Sequence, residues 1–216
     1  MMIARGGLPW IVCVGILSIV LCATTLVLWF HPLKIFPLIL SVFSLCFLCL
    51  LLVFFRDPQR EIGEGIVAAA DGRIRAITDE HDENLGDCTR ISTFMNLHNV
   101  HVNRMPLDGR IKNMTHHPGS HLPAFQKESE KNERVILLIE TSQGSLKVIQ
   151  IAGTLARRIV PYVKQGDSLK KGEKLGLIRL GSRVDVLVQR NMIKHVLVTV
   201  GQHVKAGEDS LAQLHD

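Results

Sequence analysis

Two stretches without a charged side chain, Leu8 to Phe30 and Ile35 to Phe55, constrain this 216-residue chain more than any other feature. Each exceeds the roughly 20 apolar residues that a helix needs to cross the hydrocarbon core of a bilayer. Only His31, Pro32, Leu33 and Lys34 separate them, so the pair predicts a tight helical hairpin. A cleaved signal peptide fits poorly, because the first run is long, lacks a small-residue cleavage site and is followed at once by a second span. Two buried helices of a soluble core would also be apolar, but adjacent charge-free runs of membrane length match lipid better. The apolar excess behind the mean hydropathy of +0.22 lies almost entirely before Arg56. Arg5, Arg56 and Arg60 flank the hairpin while its loop carries only Lys34, which places both ends in the cytoplasm by the positive-inside rule.

The chain thus divides into a membrane anchor, residues 1–56, and a water-phase domain, residues 57–216, on the cytoplasmic side of the cell (inner) membrane. A formal charge of +5 suits a surface facing the anionic headgroups of a lipid bilayer. Nucleic acid is not expected as a partner, given two spans and little aromatic content beyond them. Cys13, Cys22, Cys46 and Cys49 fall inside the spans and Cys88 alone in the water phase, so the cysteines form no disulfide framework. Cys46 and Cys49 have CxxC spacing, but within lipid they read as small apolar packing residues.

After Pro58 the sequence breaks into short β-branched runs bounded by turn signals. Ile66 to Ala70, Arg73 to Ile77, Thr89 to Phe94, Val135 to Glu140, Ser145 to Ile151, Arg183 to Val188 and His195 to Val200 all have strand length. Asp71-Gly72 and Asp108-Gly109 are turn dipeptides. A mostly β (α+β) domain is expected, with one short helix over Gly153 to Tyr162. Met114 to Asn132, with His116, His117, His121, Pro123 and the charge-rich Lys127 to Lys131, reads as a long loop. Its HHxxxH spacing completes no ligand set, so no metal is expected. A weak repeat aligns Val163, Gly166, Leu169, Lys170, Gly172 and Glu173 with Val198, Gly201, Val204, Lys205, Gly207 and Glu208. The pattern is of the type found in lipoyl and biotinyl domains, where two such hairpins interlock into a flattened barrel. Those carriers need an exposed lysine between the copies; here Gly181-Ser182-Arg183 stands there instead.

A Gly-Ser pair alone means little, and Gly119-Ser120 and Gly144-Ser145 are others. Gly181-Ser182 differs in lying between two apolar runs, Leu175 to Leu180 and Val184 to Val188, a costly place for glycine unless the backbone must bend or be closely approached. A serine there can attack the carbonyl before it, turning amide into ester. β-Elimination then leaves dehydroalanine, and hydrolysis gives ammonia and a pyruvoyl cap. That chemistry needs a base and a group to hold the base in the right tautomer. His101 and Asp71 are the candidates, although Asp71 before glycine is by default a turn residue. His98, three residues from His101, would leave the opposite face of a strand and is expected at the surface. Arg104 and Arg183 are candidate binders of a phosphate or carboxylate, with simple solvation equally compatible.

Taken in order, several segments resemble the short bacterial branch of the phosphatidylserine decarboxylase proenzymes. They are the apolar hairpin, Phe55-Arg56-Asp57-Pro58, Ala70-Asp71-Gly72, Phe94-Met95, Val100-His101-Val102-Asn103-Arg104 with Pro106, and Asn132-Glu133-Arg134. Gly153 through Arg158, Gly166-Asp167, Lys171-Gly172-Glu173 and Gly181-Ser182-Arg183-Val184-Asp185 complete the series. The resemblance implies autocatalytic cleavage between Gly181 and Ser182, giving a β chain 1–181 and an α chain 182–216 that stay together as a heterodimer. It implies a pyruvoyl cofactor derived from Ser182, with Asp71, His101 and Ser182 as the processing triad and His101 reused in turnover. Phosphatidylserine would then lose carbon dioxide through a Schiff base to give phosphatidylethanolamine. The chain departs from the family at Asn99, where Asp is usual, and at Ala69, where Pro is common. A membrane adaptor carrying a lipoyl-like barrel explains the spans and the glycine repeat but not His101 or Gly181-Ser182. An ether-type seryl lipid shares the same headgroup and remains compatible as substrate.

Overall fold

The computed structural model describes residues 2–119, 132–153, 158–179 and 182–215. Clustering of the chain gives two units, Met1–Pro58 and Gln59–Asp216. In the first, strand β1 (Met2–Ile3) precedes helices α1 (Leu8–Val27) and α2 (Ile35–Phe54), and strand β2 (Arg56–Asp57) closes the unit. Both helices are long and apolar enough to cross a membrane. Four of their polar side chains face each other: Ser18 Oγ lies 2.7 Å from Ser44 Oγ, and Thr25 Oγ1 3.4 Å from Ser41 Oγ. All four are buried, while Ile19, Val27, Phe30 and Phe43 point outward with at least 70% of their surface exposed. Such an inverted arrangement suits lipid, in which small hydroxyl residues join helices and apolar ones face the solvent. Antiparallel pairing of β1 with β2 holds the two ends together.

The second unit contains β3 (Ile66–Val67), β4 (Gly72–Asp82), β5 (Gly86–Met95), β6 (Val102–Arg104), β7 (Gly109–His117), β8 (Arg134–Thr141) and β9 (Gly144–Ala152). They are followed by β10 (Ile159–Pro161), β11 (Ser168–Leu169), β12 (Lys174–Ile178), β13 (Ser182–Gln189), β14 (Ile193–Val196), β15 (His203–Val204) and β16 (Ser210–Leu214). Eight strands make one antiparallel sheet in the order β11-β7-β8-β9-β13-β5-β4-β15, and two three-stranded sheets, β10-β12-β6 and β14-β16-β3, accompany it. The expected helical hairpin before a mostly β domain is therefore what the chain forms.

The glycine repeat has a structural counterpart. Its two copies supply β11 and β15, the opposite edges of the large sheet. Gly166 and Gly201 occupy equivalent positions with φ of 94° each, in the left-handed region where a side chain would be strained. The main core fills one face of the large sheet with Ile74, Ile91, Met95, Leu137, Val148, Val184 and Val186, and against them pack Met105, Leu175 and Ile178. β13 is buried along seven of its residues because β9 and β5 flank it on either side.

Three sequence expectations are corrected. Met114 to His117 is not loop but the end of β7, paired with Leu137, Ile136, Val135 and Arg134 of β8; cross-strand pairing overrides the polar composition there. His121, Pro123 and the Lys127 to Lys131 run lie outside the described residues. In place of the end of a helix over Gly153 to Tyr162, Ile159–Pro161 forms β10, pairing with Ile178 to Gly176. Pro161 is tolerated because β10 is an edge strand, and residues 154–157 lie outside the description. His195 to Val200 is strand only as far as Val196.

Candidate active site

Ser182 opens β13 with its side chain in the main core and no exposed surface. Its cross-strand neighbours are Met95 of β5 and Ala152 of β9. Its hydroxyl donates to Met95 Sδ at 3.5 Å, a weak acceptor that releases it cheaply. The preceding strand, β12, belongs to a different sheet, so the chain changes sheets on the way to Ser182. Gly181 and Leu180 lie outside the described residues.

His101 is also fully buried. It immediately precedes β6, which pairs with β12, and its carbonyl accepts Ile178 N–H at 3.3 Å. The fold thus ties His101 to the strand that leads into Ser182, while Ser182 pairs with the end of the strand that leads into His101. The imidazole Nδ1 lies 2.9 Å from the Asn99 carbonyl oxygen. A carbonyl only accepts, so Nδ1 carries the proton and a neutral ring keeps its lone pair on Nε2. Asn99 is the residue that sequence reasoning missed. Its side chain closes the turn by accepting Asn96 N–H at 2.8 Å, and its carbonyl orients the histidine. Asparagine at a turn was the available signal; a backbone acceptor left none. His98 is exposed.

Asp71 is held elsewhere. Its Oδ2 pairs with Arg60 Nη2 at 2.7 Å and its Oδ1 accepts Ala206 N–H at 2.8 Å, with no hydrogen bond to His101 among the described residues. Arg60 also reaches Glu208 at 3.1 Å and is almost buried. It is thus a structural ion-pair partner, not the free basic flank that the orientation argument counted. The segment before Asp71 does meet the histidine strand, because Arg104 N–H donates to Ala69 O. Gly72 allows the corner between sheets, since a Cβ there would lie 2.1 Å from Phe94 O.

Both candidate arginines are engaged by the protein itself. Arg104 Nη1 donates to Gly172 O at 3.0 Å. Arg183, next to Ser182 in the strand, leaves the opposite sheet face and pairs with Asp185 at 2.9 Å. Asp185, wholly buried, also receives Arg90 at 3.2 Å, and Arg90 reaches Glu80 at 2.7 Å. This alternating ladder locks the start of β13 to β5 and β4. Asp185→Ala, which removes the buried carboxylate that the Arg183 and Arg90 guanidinium groups share, is expected to cost about 3–5 kcal/mol. Urea unfolding of detergent-solubilised protein measures it, and a loss below about 1 kcal/mol would show that the ladder contributes little.

Other features lie apart from Ser182. A cavity of about 440 Å³ lined by Ile77, Asp79, Thr89, Arg190 and Lys194 sits toward the far end of β5, where Thr89 pairs with Val188. Hydrogen bonds from Thr89 and Arg190 hold the Asp79 carboxyl below the usual range, which marks an ion pair rather than a proton donor. Among the described residues no cluster of histidine, cysteine and carboxylate side chains could hold a metal.

Comparison with known proteins places these residues in context. The family model for phosphatidylserine decarboxylase matches residues 47–212. A phosphatidylserine decarboxylase proenzyme of Syntrophus aciditrophicus is 43% identical over 216 residues, covering 97% of this chain and 96% of the relative. One from Streptomyces coelicolor is 49% identical over 158 residues, 73% of this chain and 70% of the relative. A putative archaetidylserine decarboxylase proenzyme of Methanococcoides burtonii is 40% identical over 215 residues, 98% of this chain and 96% of the relative.

Proposed function

This chain belongs to the phosphatidylserine decarboxylase family, and from that membership we propose that it is a self-cleaving proenzyme that decarboxylates phosphatidylserine to phosphatidylethanolamine. The observation that carries the reading is the joint burial of Ser182 and His101, with His101 bonded to the strand that leads into the serine. Residues 1–56 would anchor the protein in the cell membrane and residues 57–216 form the cytoplasmic catalytic domain. The chain cut after Gly181 would remain a heterodimer of residues 1–181 and 182–216, since β13 stays paired with β9 and β5 on both sides.

In processing, His101 Nε2 takes the Ser182 hydroxyl proton as Oγ leaves the Met95 sulfur and attacks the carbonyl of residue 181. The carbon–nitrogen bond breaks, an ester forms and the nitrogen takes up the proton. Removal of the Ser182 α-proton then expels the carboxylate of residue 181, and water releases ammonia, leaving a ketone at position 182. Ser182 suits this role because its hydroxyl is buried and only weakly held. The resulting pyruvoyl group supplies an electron sink for loss of carbon dioxide from an amine-bearing substrate. His101, whose ordinary pKa lies near working pH, would return a proton where the hydroxyl had been. An archaetidylserine-type ether lipid carries the same seryl headgroup, and the similarity to the Methanococcoides relative keeps it as a second substrate reading.

The test is release of carbon dioxide from carboxyl-labelled phosphatidylserine, with archaetidylserine in a parallel assay; turnover of neither lipid would overturn the proposal. The anchor adds a separate expectation. Protein lacking the residues before Arg56 should still self-cleave and still act on a short-chain, water-dispersed seryl lipid. Its activity on vesicles should fall, because tethering raises the effective concentration of the headgroup. Equal vesicle activity with and without the hairpin would limit the anchor to localisation.

A further inference from the structure

Beside Ser182 the core holds two amides that apolar packing does not require. Asn103 of β6 and Gln150 of β9 are both fully buried. Gln150 pairs with Val184, two residues along β13 from Ser182, so it leaves the same sheet face as the serine. Gln150 Nε2 donates to Asn103 Oδ1 at 2.7 Å. Asn103 Nδ2 in turn points at Met95 Sδ, 3.7 Å away, the same sulfur that takes the Ser182 hydroxyl. The Asn103 amide donor is therefore spent on a thioether, a poor acceptor. Gln150 Oε1 has no hydrogen-bond partner among the described residues. Buried amides kept in this state are costly and call for a reason.

Together the pair offers one underused donor and one unused acceptor, bonded to each other and facing the reacting position. An α-amino carboxylate is the complement: its carboxylate accepts and its amine donates. We propose that Asn103 and Gln150 read the seryl headgroup, Asn103 Nδ2 turning from the sulfur to the carboxylate and Gln150 Oε1 accepting from the amine. This rests on the function proposed above and assigns headgroup recognition to two residues outside its catalytic set. It also explains why Arg104 and Arg183 are engaged by Gly172 O and Asp185. A guanidinium on the carboxylate would stabilise the charge that must leave it. A neutral amide in a site closed to water orients the group without that stabilisation.

The test uses matured full-length protein in detergent, with ketone content of the small chain first established by intact mass. Dihexanoyl phosphatidylserine reports turnover. Dihexanoyl phosphatidylethanolamine, which lacks the carboxylate, reports capture: its amine condenses with the ketone, losing water, and borohydride fixes the product as added mass. Asn103→Leu should lower kcat/KM for the seryl lipid about 10- to 100-fold, the loss of one hydrogen bond to a charged group, and leave the concentration dependence of capture unchanged. Gln150→Met should weaken both, since both lipids carry the amine. Equal losses on the two lipids with Asn103→Leu, or wild-type behaviour of either variant, would overturn the assignment. If Asn103→Leu stays uncut, Gln150→Met decides alone through the capture readout. Wild-type protein without a ketone would instead overturn the decarboxylase reading, and the mass shows that before any lipid is added.

Discussion

Ser182→Ala is expected to leave one uncut chain with no decarboxylase activity. The substitution removes a single oxygen whose one side-chain hydrogen bond is to the Met95 sulfur, so β13 should keep its pairing and the fold its stability. Alanine cannot form the ester, and without the ester no ketone arises. Electrophoresis under denaturing conditions together with the carbon dioxide assay reads both results. Full activity in the uncut Ser182→Ala chain would remove the self-made cofactor from the account.

His101→Ala should slow processing by about 10²–10⁴-fold, the usual contribution of a positioned general base, and any chain that matures should still turn over poorly. In the proposed mechanism one imidazole would serve both tasks, because the substrate carbon would take nearly the place of the hydroxyl. Asp71 behaves differently. The Asn99 carbonyl, not a carboxylate, fixes the histidine tautomer, so Asp71→Asn should leave the ring oriented. It weakens the bond to Arg60 and keeps an acceptor for Ala206 N–H. Processing should therefore slow less than in His101→Ala, with turnover per ketone near that of wild type. Turnover normalised to ketone content, obtained by hydrazine trapping, separates the cases. If matured His101→Ala matches wild type in turnover, the histidine acts only in processing; if Asp71→Asn equals His101→Ala in both measures, the carboxylate is part of the machinery.

The pattern of what the sequence disclosed follows from which physical signals side chains carry. The charge-free runs announced α1 and α2 because lipid solvation depends on composition alone. The β-branched runs within β4, β5, β8, β9 and β13 were legible for a similar reason, since strand preference follows side-chain shape. β7 was partly hidden because Met114 to His117 becomes strand only by pairing with β8. β10 was hidden because Ala152-Gly153-Thr154-Leu155-Ala156-Arg157-Arg158 looked helical, while Ile159–Pro161 becomes strand only by pairing with β12. At the site, Ser182 and His101 were legible as chemistry. The links between them were not: Asn99 acts through its carbonyl, and Asp71 meets Arg60 and Ala206, residues that no local spacing connects to it. Arg183 looked like a candidate for binding a ligand, yet its alternation with Ser182 along β13 sends it to the other face of the sheet, where it meets Asp185.

The central claim is that position 182 becomes a ketone by internal cleavage, and intact-mass spectrometry of the purified chain tests it most directly. The account predicts two masses. One is the chain ending at Gly181. The other is residues 182–216 with a ketone in place of the terminal amine and a methyl group beside it, the Ser182 hydroxyl oxygen having left in the carboxylate of Gly181, closed to amine-directed sequencing. A single full-length mass in a preparation that decarboxylates its lipid at full rate would contradict it.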